Sequence, residues 1–233
     1  MRKIGKSANI PATLQNAPVP ASAAEVQAKI YKADDVRTQL VCDQYNKCAY
    51  CECYMTKAYN DVEHYRPKSH YYWLGHDWNN LLYSCNLCNR SLKNDSFPLL
   101  DESRKASKPA DNISLEHPLI INPAEVEPSL HINFRRHQAV GITPEGKKTI
   151  EVFDLDNKKG KRPELVEARK QVFEKYQQDK EIITLLTVLL DRADISDEVK
   201  ATINDAISNA QQSIDNIASL SHAYSGMLIS QIP

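Results

Sequence analysis

Cys48-Ala49-Tyr50-Cys51 and Cys85-Asn86-Leu87-Cys88 are two C-x-x-C knuckles in one chain. Each knuckle presents two thiolates at the spacing of adjacent metal ligands, and two knuckles complete the tetrahedral shell that Zn²⁺ takes in structural sites. A redox dithiol would account for one pair at a time, whereas a four-cysteine zinc site accounts for both. Zinc with four protein ligands has no open position, so this metal is scaffold and any catalyst lies elsewhere. Cys42 and Cys53 lack partners at such spacing and read as ordinary small residues, buried or half-buried. Between the knuckles lies Asp61-Val62-Glu63-His64-Tyr65-Arg66-Pro67-Lys68, which reads as a short strand carrying an acid beside a histidine. Adjacent strand residues face opposite ways unless the strand ends or twists, which Pro67 encourages. A histidine alone reads as a hydrogen-bonded core residue, but a plain zinc ribbon has no need of an acid–base pair between its knuckles.

The elements that must position these groups follow from the pattern on either side. The run Leu81–Tyr83 suits a second strand, and Asn86–Lys93 a short helix. Upstream, Val26, Ile30, Val36, Leu40 and Val41 recur at helical spacing over residues 21–46, with Asp34-Asp35 as the start of a second helix. Residues 1–24 carry Pro11, Pro18 and Pro20 and read as an extended arm. Downstream, residues 103–109 are a basic, polar linker. Extended segments are expected at Leu119–Ile121 and Leu130–Phe134, divided by Asn122-Pro123 and Pro128. Helices are expected over Lys147–Leu155, from Pro163 onward with Leu165, Val172 and Phe173, and over Ser196–Leu220. The predicted architecture is α+β, in three parts. These are an arm and lead helix at 1–36, a zinc-stapled module at 37–102, and a mainly helical region at 103–233.

Bulk properties narrow the setting. The 233 residues are 42% hydrophobic and 25% charged, as in a globular protein, with a net charge of −1. That balance excludes a small domain that is basic all over, so a polyphosphate ligand requires a local patch or a partner that supplies positive charge. No secretory leader pattern is visible, and the apolar run Ile182–Leu190 is about half a bilayer span. The expectation is a cytoplasmic protein without a membrane contact. In a reducing cytosol, cysteines at this spacing serve metal rather than disulfides.

In this region the sequence resembles the HNH, or ββα-metal, endonucleases in their four-cysteine form. The matched positions are Glu63-His64, Asn80 five residues before Cys85, and Asn89 directly after Cys88. The last histidine of the motif's name is an asparagine here, and Glu63 stands where aspartate is more usual. The resemblance implies that His64 activates the nucleophilic water, since a neutral imidazole is the natural base near pH 7. It implies that Glu63 and Asn89 hold Mg²⁺ or Mn²⁺, ions that favour oxygen ligands, and that Asn80 orients the histidine. Arg66, Lys68, Arg90 and Lys93 surround these positions and are candidate phosphate contacts. His70 and His76 read as surface histidines, and Tyr71-Tyr72-Trp73 as packing of the intervening loop.

The likeness extends further, to the PtuB-type HNH proteins of bacterial anti-phage systems. It rests on the start MRKI-x-K, on KCAYCE, on VEHYRPK and on W-x-N-L-x-x-S-C-x-x-C-N-x-S-L-K-N-D. Leu119–Pro123, Lys148–Ile150 and Leu155-Asp156 add to it. Such proteins work in Septu and retron-linked operons beside a PtuA-like ATPase, which implies nucleic acid and that ATPase as partners. The arm and the C-terminal helices are the expected docking parts. The leading expectation is DNA cleavage; ribonuclease action on a host RNA such as tRNA and a non-catalytic zinc-stabilised binding module are the alternatives.

Overall fold

The computed structural model describes residues 1–56, 60–192 and 194–231. Two single helical turns, Ala12–Gln15 and Ala28–Tyr31, precede helix α1, Asp34–Asp43. Asp34 and Asp35 sit in the first turn of α1, where carboxylates complement the helix dipole. Val36 and Leu40, one turn apart, bury its inner face. The helix stops where Tyr45 and Asn46 take left-handed backbone angles, and this turn delivers the chain to Cys48.

Strands β1 (Asn60–His64) and β2 (Leu81–Cys85) pair antiparallel, with Glu63 opposite Leu82 and His64 opposite Leu81. Every residue of β2 is buried, so this hairpin lies inside the molecule. The backbone then winds directly into α2, Leu87–Lys93, a π-helical segment ended by Asn94 at φ 46°. A second hairpin, β3 (Ile132–Arg135) with β4 (Gln138–Gly141), leads into α3, Pro144–Phe153. Thr143 caps α3 by accepting from the Gly146 N–H, and Pro144 occupies the first turn. Gly146 lies so close to the His131 carbonyl that a Cβ would collide with it. Helices α4 (Pro163–Leu190) and α5 (Asp197–Ala218) form an antiparallel hairpin, and α6 (Ser225–Ile229) returns to the body.

The observed fold is a mixed helix and small-sheet structure, with several departures from the sequence expectation. Leu119–Ile121 forms no strand: Pro118 and Asn122-Pro123 bracket it, and Ile120 and Ile121 are buried as a loop. Only the latter part of Leu130–Phe134 is strand, and its partner β4 went unread because Gln138–Gly141 carries no strand-like alternation. Within residues 21–46 the first expected helix is reduced to two short turns, Ala23–Glu25 and Ala28–Tyr31, whereas the second begins at Asp34 as expected.

The proline-containing arm packs against its own chain. Ile4 and Leu14 are buried, and the Ile4 N–H donates to the Pro123 carbonyl at 2.8 Å. Lys6 lies 3.8 Å from the Trp78 ring centre and bonds the Leu81 carbonyl at 2.8 Å. One face of the arm is therefore covered by its own chain. The C-terminal region likewise reaches into the middle of the chain, with Phe153 stacked on Tyr50 at 4.0 Å.

Candidate active site and metal centre

The turn after α1 supplies Cys48 and Cys51, and the junction of β2 with α2 supplies Cys85 and Cys88. All four are buried, and their sulfurs lie within 4.8 Å of one another. Zn–S bonds of about 2.3 Å in a tetrahedron require sulfurs about 3.8 Å apart, and Cys51 and Cys85 stand at 3.9 Å. The set is fit to hold a metal ion such as zinc. Four thiolates around a divalent ion leave surplus negative charge, and Arg162 answers it by donating from Nη1 to Cys88 Sγ at 3.3 Å. Arg169, also buried, donates to the Leu155 carbonyl at 2.6 Å close by. Cys42 is exposed, whereas the half-buried Cys53 lies beside the cluster, its sulfur 3.2 Å from that of Cys51.

On the other side of β1 a cleft of about 200 Å³ is lined by Glu63, His64, Lys68, Asn89 and Arg90, together with Asp61 and Tyr31. Glu63 and His64 are neighbours in sequence yet both line it, because the strand ends at His64 and Pro67 turns the chain. His64 Nε2 lies 2.9 Å from the Gly75 carbonyl. A carbonyl only accepts, so Nε2 carries the proton and Nδ1 keeps a free lone pair. Burial pushes the His64 pKa down to about 4, against the pull of the Gly75 bond. The ring is thus neutral at pH 7. Tyr31 packs edge-on against it at 4.6 Å.

Glu63 is only 2% exposed, and burial raises its pKa to about 7 although Lys93 pulls the other way. Lys93 Nζ lies 2.6 Å from Glu63 Oε1, and the Tyr50 hydroxyl donates to the same oxygen at 3.5 Å. Asn89 faces the cleft, and its carboxamide makes no hydrogen bond among the described residues. The Asn80 side chain makes no hydrogen bond to His64 among the described residues. Its Nδ2 donates to the Leu74 and Arg66 carbonyls at 3.1 and 3.0 Å, and its Oδ1 accepts from the Arg66 N–H at 2.7 Å. Asn80 therefore ties together the two ends of the loop that carries Gly75, the acceptor for His64.

The four candidate phosphate contacts separate. Lys68 lines the cleft and makes no ion pair among the described residues. Arg90 lines it while bonded to Asp61 at 2.6 and 3.1 Å. Arg66 turns away from the cleft to pair with Glu116 and to lie over the rings of Tyr71 and Phe97. Lys93 is fully buried, and it bonds the His64 carbonyl at 3.0 Å besides pairing with Glu63. It is an internal counter-charge rather than a surface grip. Hydropathy treats all four cations alike, so nothing in the sequence separates them. His76 likewise proves buried: it accepts from the Gln27 N–H at 3.1 Å and donates to the Pro18 carbonyl at 2.9 Å. Tyr71 and Trp73 pack the loop as expected. Tyr31, Tyr50, Gly75 and Arg162 were not singled out. Only Tyr50, inside the first knuckle, carried a positional hint.

No protein-family model matches the chain. It is 34% identical over 202 residues to the Septu protein PtuB of Bacillus mycoides (strain KBAB4), covering 76% of this chain and 66% of that protein. It is 35% identical over 113 residues to the Septu protein PtuB of Bacillus thuringiensis, covering 48% of this chain and 37% of that protein. The aligned part of the chain thus spans just under two thirds of the first relative's length and little over one third of the second's. With 34% identity sustained over three quarters of its length, the chain is similar to the Septu protein PtuB, and its four-cysteine set is assembled in its core.

Proposed function

We propose that this protein is an HNH-type, metal-dependent endonuclease of a Septu anti-phage defence system, with DNA as its first substrate, acting beside a PtuA-like ATPase. The observation that carries the reading is the state of His64: neutral, held by its Nε2–H, with Nδ1 unprotonated at a polar cleft. A base so placed takes a proton from a water directed at phosphorus. Glu63 through Oε2 and the unbonded Asn89 carboxamide are the groups to hold Mg²⁺ or Mn²⁺, hard oxygen donors suited to such an ion. When bound, that ion supplies charge for the phosphate and the leaving 3′ oxygen. Lys93 favours the ionised form of Glu63 against the effect of burial and fixes the carboxylate from behind, and Lys68 is the cleft cation without an ion pair among the described residues, placed for a phosphate oxygen. Asn80 holds the 66–75 loop, so the Gly75 carbonyl stays in line with His64. The cysteine-bound metal takes no part in the chemistry.

The net charge of −1 fits division of labour with a partner that presents the substrate. The test is incubation of wild type and His64→Ala, each with the ATPase, on plasmid DNA and on total RNA with Mg²⁺ or Mn²⁺. DNA loss that falls at least about 100-fold in the variant is the expected result. RNA loss alone would move the substrate to RNA, and equal cutting by the variant would overturn the assignment of the base.

A further inference from the structure

A second concavity, of about 360 Å³, lies on the far side of the segment that carries the candidate base. His64 and Lys68 line the cleft, while the intervening Tyr65 and Arg66 line this pocket. Its walls are apolar, from Ile113, Pro118, Ile120, Ile121 and Val126. Asn122, only 3% exposed, is part of the lining. Its Oδ1 accepts from the Ala124 N–H at 3.1 Å, which leaves Nδ2 as a buried donor without a partner among the described residues. An unmet buried amide donor is costly, so a ligand acceptor that reaches it is favoured.

The charges around the pocket restrict what that ligand is. The Arg66 guanidinium is neutralised by Glu116, the Glu145 carboxylate lies 3.7 Å from the His131 ring, and Glu125 stands at the rim, with His117 also in the lining. That surplus of negative charge disfavours a phosphate or carboxylate. A metal is disfavoured too, because the four cysteines are the one convergent set of metal-ligand atoms among the described residues. What fits is a flat, neutral ring with N–H donors for the carboxylates and an acceptor beside them for Asn122. Guanine, adenine and cytosine each present an exocyclic amine next to such an acceptor; uracil and thymine have no amine.

We propose that the pocket behind Tyr65-Arg66 receives an unstacked, amino-bearing nucleobase next to the cleavage site, giving the nuclease a base preference. Extruded bases are held in this way, between apolar walls and by bonds to their pairing edge. The inference rests on the nuclease reading, but it is tested without cleavage. Guanosine and uridine, which carry no phosphate, are titrated by calorimetry or ligand-observed NMR into the full chain loaded with zinc. Guanosine should bind at least about tenfold more tightly than uridine, since a site built to bond an amine rejects a ring that lacks it. Asn122→Ala should weaken guanosine about tenfold. As Asn122 also closes a turn, Glu125→Gln at the exposed rim serves as a second variant and should weaken it severalfold. Equal binding of the two nucleosides, no binding of either, or guanosine binding unchanged in both variants would overturn the proposal. Cleavage by the wild type without nucleoside binding removes this inference and leaves the nuclease reading. Nucleoside binding beside a His64→Ala variant that still cuts does the reverse.

Discussion

The cysteine cluster and the cleft are built from the same pieces, β1–β2 and α2, yet their polar groups are treated in opposite ways. In the cluster every sulfur is buried, and the surrounding charge is answered by Arg162 from a distant part of the chain. In the cleft Nδ1 of His64, the Asn89 carboxamide and the Lys68 ammonium are left without partners among the described residues. A group whose bonds are all made inside the protein holds structure; a group whose bonds are left open is available to a ligand. Damage to the cluster should therefore cost the fold, and damage around the cleft should cost activity while the fold stands.

Metal removal is the strongest test of that contrast. Structural zinc contributes on the order of 10 kcal/mol in small zinc domains. Chelation, or Cys88→Ser, should abolish cooperative thermal unfolding of the region around β1–β2, as read by calorimetry. A chelated protein with an unchanged transition would show that the cysteines are not the scaffold. Next in size, Asn80→Ala should cut turnover roughly 10- to 100-fold while shifting stability by about 1–3 kcal/mol, because it frees the loop that holds Gly75. A direct role in substrate binding would raise KM instead, so the kcat-against-KM split decides.

Arg162→Met sharpens the other side of the comparison. It should lower zinc affinity about 10- to 100-fold in a competition assay with a chromogenic chelator, as loss of an outer partner of metal ligands does elsewhere. Turnover of the zinc-saturated variant should stay near that of wild type.

The smallest expected effect concerns Lys6, which pins the arm across Trp78. Burial lowers its pKa to about 7, although Asp43 and other carboxylates raise it. From about pH 7 up to the ordinary lysine range, the unfolded chain holds this proton and the folded chain does not. Stability from this group therefore rises with pH across that window. Wild type should gain stability relative to Lys6→Met between pH 7 and 9 in parallel urea titrations. A gain of the same size in Lys6→Met would assign it to other groups.

The two regions also differ in how far they could be read from sequence. Both knuckles were legible, because C-x-x-C spacing is a local constraint and metal geometry leaves few options. The long helices from Pro163 and Ser196 were legible through periodicity and caps, and the structure begins them within one residue of those positions. What surrounds the cleft was not. Arg66, Lys93 and His76 look like surface residues in a hydropathy pattern. Their burial depends on Glu116, Glu63 and the Gln27 and Pro18 backbone, partners far away in the chain. The packing of the arm was illegible for a similar reason: proline and alanine suppress regular structure but do not prevent packing. Arg162 beside Cys88 has no local signature at all.

That last contact has a consequence for how the protein is made. During synthesis at about 5–20 residues per second, Cys88 leaves the ribosome several seconds before Arg162 and Phe153. For that interval the nascent chain carries four thiols without their cationic neighbour and Tyr50 without the ring that covers it. Early capture of zinc would close the knuckles before stray oxidation could pair them wrongly.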